Sequence, residues 1–370
     1  MSLDVLVLPN KNTSFHHLWG PRGFPSLNIG AWKWRRDFYH LQYEWLYISD
    51  LVTENAGRTT LVGTLHPLYQ APPAEDCTNP SAALSPAYEG ISVRRALKEL
   101  KNYDVLICSV EAALEDHPIY RAAISSSGVR VVILDHPDHE DLLTSSDKSE
   151  VTRGLKQGVH FDIYFKKDLP LCFTDLEHVY PIAPDPIRLS AFPEIDSSKR
   201  SYSVFFSGVL EKPITYENRK AVLHEFEQLE DSFINVIDVP DHYKRSFSLT
   251  NAEMHKKMMQ SRFILSPAGR SWTTTRHTMA STTSAAVIMP RPDIATVGPT
   301  IDDGVHAITF PMLRYEDETA AKKISRELVD RVRQTTDAEI VSLSKNWRAM
   351  VQRHHTTSAR ARYILEVIGG

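Results

Sequence analysis

Residues 261–290 read SRFILSPAGRSWTTTRHTMASTTSAAVIMP. The apolar run RFIL predicts a short strand, SPAG a turn, and the hydroxyl-rich stretch after it a helix starting around Thr273–Arg276. A second apolar strand is expected at Ala285–Met289. Strand, turn, helix and strand in that succession make the repeating unit of a parallel α/β sheet, so this segment decides the fold class. Its chemistry sits at the turn. Gly269 permits close backbone approach, the threonines are placed to satisfy orphan N–H groups at a helix start, and Arg270 and Arg276 bring positive charge to the same end. Ser266 and Thr275 flank them. A helix start, a small residue and an arginine fork together suit an anion. A capped helix beside two solvated arginines is the competing reading.

The same alternation extends outward. Asp4–Pro9, Thr59–Gly63, Asp104–Val110, Val129–Leu134 and Phe161–Phe165 are short apolar runs followed by polar turns, the pattern of strands buried on both faces. A helix is expected over Glu111–Ser127, with a break at Pro118. Residues 180–201 carry four prolines and several small polar residues and read as a linker. Beyond it the pattern restarts with strands at Tyr202–Phe206, Phe233–Val239 and Phe263–Ser266, and with helices at Asn218–Leu229, Asn251–Gln260, Glu318–Thr335 and Ala338–His354. The expectation is an α/β chain of two Rossmann-like domains facing each other across a cleft: 1–180, a linker at 181–201, and 202–370.

Composition narrows the function classes. At 370 residues the chain has room for two domains of ordinary size. Forty-two per cent hydrophobic and 24 per cent charged residues describe a globular chain rather than a disordered one. Forty-two Lys and Arg against 46 Asp and Glu leave a net charge of −4, which disfavours binding long nucleic acid through net field alone. No apolar run reaches the roughly 20 residues of a membrane span, and no basic n-region precedes an apolar stretch at the start, so a cytoplasmic location is expected. Cys77, Cys108 and Cys172 are three, widely spaced and without a CxxC pair, which argues against a disulfide framework or a thiolate metal site.

The segment 261–290 resembles the nucleotide-sugar-binding core of exostosin-type glycosyltransferases, a GT-B family. Ser261, Phe263, Leu265, Pro267 and Gly269 match its strand and Pro-x-Gly turn, and Arg276 stands seven residues after Gly269. FFSG at 205–208 followed by Arg219 is similar to the opening of that family's C-terminal domain, and DDGVHAITF at 302–310 to a GT-B segment. The resemblance covers residues 202–310, the donor half. It departs at Met279, where the family carries an acidic residue on the donor ribose, and at Ser284–Ile288, where the family has Gly-Cys-Ile-Pro-Val. What it implies is a nucleotide-sugar donor held by Ser207, Gly208, Arg219, Ser266, Gly269, Arg270, Thr275, Arg276 and Asp303. It further implies inversion at the anomeric carbon, with no cofactor and no metal in the active site.

Other constellations belong to the N-terminal half. LDHPDHED at 134–141 crowds carboxylates and imidazoles at the end of a predicted strand, where α/β proteins place ligands. Asp135, His136 and Asp138 are the candidates for a general base acting on an acceptor hydroxyl; a divalent-ion site and an acidic solvated loop are the alternatives. Glu111 follows another strand in the same topological place and is a candidate for acceptor contact, with favourable helix-dipole electrostatics as the plainer role. His16, His17 and Trp19 lie in the loop after the first strand and are candidates for acceptor contact. Trp19–Tyr47 interleaves aromatics with Arg22, Arg35 and Arg36, a pattern that suits stacking on sugars or bases, whereas Phe38, Leu41, Trp45, Ile48 and Val52 fit the core face of a helix.

The expected activity is glycosyl transfer from a nucleotide-sugar to a hydroxyl on a glycan or small-molecule acceptor. Two alternatives stand beside it: a decayed GT-B protein that binds nucleotide or glycan, and a transferase acting on a nucleotide or nucleic-acid base.

Overall fold

The computed structural model describes residues 2–8, 50–51, 54–62, 89–126, 128–135, 159–184, 186–187, 200–211, 216–239, 249, 251–269, 272, 274–312 and 318–370. Contacts divide the chain into two units, and among the described residues the chain passes from the first to the second between Ile182 and Ala183. The last residues, Thr357–Gly370, return to the first unit.

The first unit is built on seven parallel strands. They are β1 (Val5–Leu8), β2 (Thr59–Val62), β3 (Glu89–Ile91), β4 (Val105–Ser109), β5 (Arg130–Asp135), β6 (Ile163–Lys166) and β7 (Val179–Pro181). Their order is β3-β2-β1-β4-β5-β6-β7, so the winding reverses between β1 and β4. Val5–Leu8 of β1 pair in register with Val105–Cys108 of β4. Every residue of β1 and of β4 is buried, which is why these strands read as unbroken apolar runs. Helix α1 (Val93–Glu99) starts at Ser92, whose side chain accepts from the Arg95 N–H. The helix expected over 111–127 is two, α2 (Val110–Leu114) and α3 (Pro118–Ile124). Pro118 begins the second of these, and the His117 side chain caps it by accepting from the Ile119 N–H at 3.2 Å.

The second unit holds five parallel strands. In chain order its elements are β8 (Tyr202–Glu211), α4 (Tyr216–Phe226), β9 (Ser232–Val239), α5 (Asn251–Met259), β10 (Ser261–Leu265), α6 (Thr275–Met279), β11 (Ala286–Pro290), β12 (Ile308–Phe310), α7 (Glu318–Gln334) and α8 (Asp337–His354). Their order β9-β8-β10-β11-β12 is the flavodoxin-like doubly wound arrangement, with the winding reversing between β8 and β10. Apolar side chains cover both faces. Phe205, Ile264, Val287 and Trp347 form one cluster, while Val204, Phe206, Phe263 and Ile288 pack on the other face against Val222 and Val332.

Helix α9 (Thr357–Gly369) corrects the sequence expectation that 202–370 forms one domain. Ala361, Ile364 and Ile368 pack into the first unit's core with Val5, Ile107 and Val132. Arg130 of β5 donates to the Ile368 carbonyl at 2.6 Å and fixes the helix to that sheet.

Candidate functional site

In an open α/β sheet, ligands settle at the carboxyl ends of the strands where the winding reverses. In the second unit that place is bounded by the end of β8 and the turn after β10. Pairing between β8 and β10 runs to Phe205 and Ile264. Pairing between β8 and β9 continues to Glu211 and Val239. From Phe206 onward β8 has therefore left β10, and the Ser266–Gly269 turn diverges from it on the other side.

Arg276, in the first turn of α6, lies at this divergence. Its guanidinium carbon is 4.9 Å from the centroid of the Phe206 ring, a cation–π contact. Gly208 gives it room: a Cβ there would come within 2.9 Å of Arg276 Nη2 and 2.9 Å of Phe206 Cζ. Arg276 makes no ion pair among the described residues, and its Nη1 is buried without a hydrogen-bond partner. Burial, and then the neighbouring charge of Arg219, push the guanidinium down to about 9. Arg219 reaches from α4 and donates from Nε to the Ala268 carbonyl at 2.8 Å, which fixes the turn and brings a second cation to it. Residues 261–290 contain no Asp or Glu. Like charges held together without an acid in the segment are chemically suited to an anion.

Ser207, on β8, accepts from Asn235 Nδ2 at 3.1 Å. Ser266 is buried and its hydroxyl shares a 3.0 Å hydrogen bond with Thr274. That bond corrects the expectation of threonine capping: Thr274 occupies the N-cap position of α6, yet its side chain makes no cap hydrogen bond. The hydroxyls farther along serve the backbone. Thr278, Ser281, Thr282 and Thr283 donate to the carbonyls of Thr275, Thr278, Met279 and Ala280. Thr275 and Gly269 are half-buried beside this arrangement, and Arg270 lies outside the described residues. Met279 is buried in the apolar cluster with Trp272 and Trp347.

Asp303, expected on the donor side, is engaged elsewhere. Both carboxylate oxygens accept from Arg331 Nη1 at 3.0 Å, and Oδ1 also accepts from the Thr309 N–H at 2.7 Å. Burial alone would raise this carboxyl, but those partners outweigh it and hold the group below its ordinary range. Its role is to fasten the turn before β12.

In the first unit, Asp135 ends β5, and the structure corrects its expected role as a base. The residue is 1% exposed, and Oδ2 accepts from the Tyr164 hydroxyl at 2.6 Å and from Lys166 Nζ at 2.8 Å. Oδ2 is thus committed to an ammonium and a phenol, which favours packing over the work of a base. His136 and Asp138, together with His16, His17 and Trp19, lie outside the described residues. Glu111 is in the first turn of α2, directly after β4, at the first unit's own reversal point. Among the described residues no group of His, Cys, Asp and Glu is arranged to hold a metal, and no helix is long and apolar enough to cross a membrane.

Neither Phe206, read only as part of the FFSG strand, nor His277 was among the expected site residues. Arg276 was legible from its spacing to Gly269, but its aromatic support lies seventy positions upstream, and only the parallel register of β8 and β10 brings the two together.

Compared as a whole, the structure is similar to sucrose-phosphate synthase from Thermosynechococcus elongatus, with a TM-score of 0.55 and 9% identity over 99% of this chain and 98% of that one. It is equally similar to the N-terminal domain of trehalose-6-phosphate phosphatase from Candida albicans, with a TM-score of 0.55 and 10% identity over 100% and 97% of the two chains. This is the GT-B fold. The sequence matches no family model and no curated protein. At such identity the likeness speaks for the two Rossmann-like domains of GT-B and for nothing finer.

Proposed function

We propose that this GT-B chain is a glycosyltransferase whose second unit holds the diphosphate of a nucleotide-sugar donor. The observation that carries the reading is Arg276: a cation with one buried N–H that has no partner among the described residues, resting on Phe206 beside Arg219, at the reversal point of a doubly wound sheet. A diphosphate would supply the missing acceptor oxygens and the opposite charge together. During transfer an acceptor hydroxyl oxygen bonds to the anomeric carbon as the bond from that carbon to the diphosphate breaks. Negative charge then grows on the leaving diphosphate, next to a guanidinium already in place to stabilise it. The proton of the hydroxyl goes to a base, and His136 and Asp138, which follow Asp135 in sequence, are the candidates.

The exostosin-type resemblance supports the finer reading of inversion, without a metal or other cofactor, on a glycan or small-molecule acceptor. A thermal-shift panel of UDP-, GDP-, dTDP-, CMP- and ADP-sugars, with and without magnesium, tests the donor assignment. Saturation at a hundred times Kd stabilises the folded state by about 2.7 kcal/mol, enough to be seen. No stabilisation by any of them would overturn it.

A second reading, a binder without turnover, draws on two observations. Met279 is packed in the core, and Asp135 is committed to Lys166. Release of free nucleoside diphosphate in the presence of acceptor separates the two readings: turnover removes the second, and tight binding without release favours it.

A further inference from the structure

His277 follows Arg276 directly and is fully buried beneath the Ser266–Gly269 turn. Its Nε2 lies 3.2 Å from the Ser266 carbonyl oxygen, and its ring centroid is 4.6 Å from that of Trp272. The neighbours are themselves tied down: Trp272 Nε1 donates to the Pro290 carbonyl at 2.7 Å, and Trp347 Nε1 donates to the carbonyl of His277 at 2.7 Å. One residue thus joins the end of β10 through its ring and helix α8 through its backbone carbonyl, from its place in α6.

We propose that His277 is a positioning residue for the anion site, a neutral hydrogen-bond donor that fixes the turn against α6 and so sets where the Arg276 guanidinium rests. The inference depends on the diphosphate reading given above. A carbonyl only accepts, so the Nε2 nitrogen carries the proton. Among the described residues Nδ1 is buried without a hydrogen-bond partner, which leaves the Ser266 carbonyl as the one group there that orients the ring by hydrogen bonding. Burial first pushes the imidazole down to about 3, the Ser266 carbonyl opposes this, and the Arg276 charge adds to it. The ring therefore stays neutral across the working range and adds no third cation to the site. Histidine supplies two properties that substitutions can separate, namely a flat ring against Trp272 and a donor to Ser266.

The experiment first screens the wild-type full chain by calorimetry against the diphosphates of uridine, guanosine, thymidine, cytidine and adenosine. The tightest of these is then titrated into His277→Phe and His277→Gln, with Tm measured for all three proteins. His277→Phe keeps the ring and removes the donor. It is expected to weaken binding about fivefold or more while Tm falls only a few degrees. His277→Gln restores a donor at the same reach and is expected to bind within about threefold of wild type even where its Tm is the lower of the two. Wild-type affinity in His277→Phe, or equal losses in both variants, would overturn the positioning role and leave the diphosphate reading intact. A wild-type chain that binds none of the five would overturn both.

Discussion

Arg276 rests on the ring of Phe206 at 4.9 Å, and the residue two places further along the same strand is Gly208, whose missing side chain leaves the guanidinium its space. The three residues form one device. The aromatic face holds the cation without neutralising it, as a carboxylate would, so the charge stays available to a ligand.

Arg276→Ala is expected to weaken nucleoside diphosphate binding at least tenfold, about 1.4 kcal/mol for a charge-assisted contact. Arg276→Lys should recover little, because an ammonium lacks both the flat face that lies on Phe206 and the fork that grips two oxygens. Calorimetric titration of both variants decides it; unchanged affinity in Arg276→Ala removes the phosphate assignment.

Gly208→Ala adds a methyl group where two atoms already stand at 2.9 Å. Phe206 is fully buried and has nowhere to go, so the guanidinium is the part that must yield. Overpacking of this kind costs about 1–3 kcal/mol. The expected result is a lower Tm together with weaker diphosphate binding; a variant that binds like wild type would show that Arg276 acts from another position.

Asp135→Ala leaves the Lys166 ammonium buried without its carboxylate, and a broken buried pair costs about 3–5 kcal/mol. Asp135→Leu combined with Lys166→Met should regain most of that loss. Turnover per folded molecule in the double variant is the useful reading: if it stays near wild type, Asp135 is a packing element, and if it vanishes while the fold persists, Asp135 takes part in the chemistry.

His277 also makes stability depend on pH. Its folded pKa, about 3, lies below the unfolded value of about 6.5. Between those values the unfolded chain takes up a proton that the native ring refuses, so stability falls as pH drops below about 6.5. The slope from this group is at most about 1.4 kcal/mol per pH unit. Denaturation midpoints from pH 7 to 4 should show a smaller acid loss in His277→Gln than in wild type, and parallel curves would contradict the buried neutral ring.

Much of the architecture was legible because buried parallel strands are written as short β-branched runs. Val5–Leu8, Val105–Ser109 and Ala286–Pro290 announce themselves in this way. The strands Glu89–Ile91, Val179–Pro181 and Ile308–Phe310 did not, since three residues carry no period. The proposed anion site was open to reading where it is local, as in the spacing from Gly269 to Arg276. It was hidden where it depends on register, as with Phe206, or on which face of a short helix turns inward, as with His277. The threonines misled because a hydroxyl near a helix start has two employments. Here most of them bond carbonyls of their own segment, and Thr274 bonds Ser266.

Helix α9 has a consequence for synthesis. Val5 and Ala361, Ile364 and Ile368 share the core of the first unit, yet the whole second unit from Ala183 to Thr356 is synthesised between them. The second unit, complete once Thr356 has emerged, therefore has all of its own parts before the first does. The usual order, N-terminal unit first, is reversed for the final step. Until those thirteen residues are made, the core of the first unit lacks the apolar side chains that α9 brings to it.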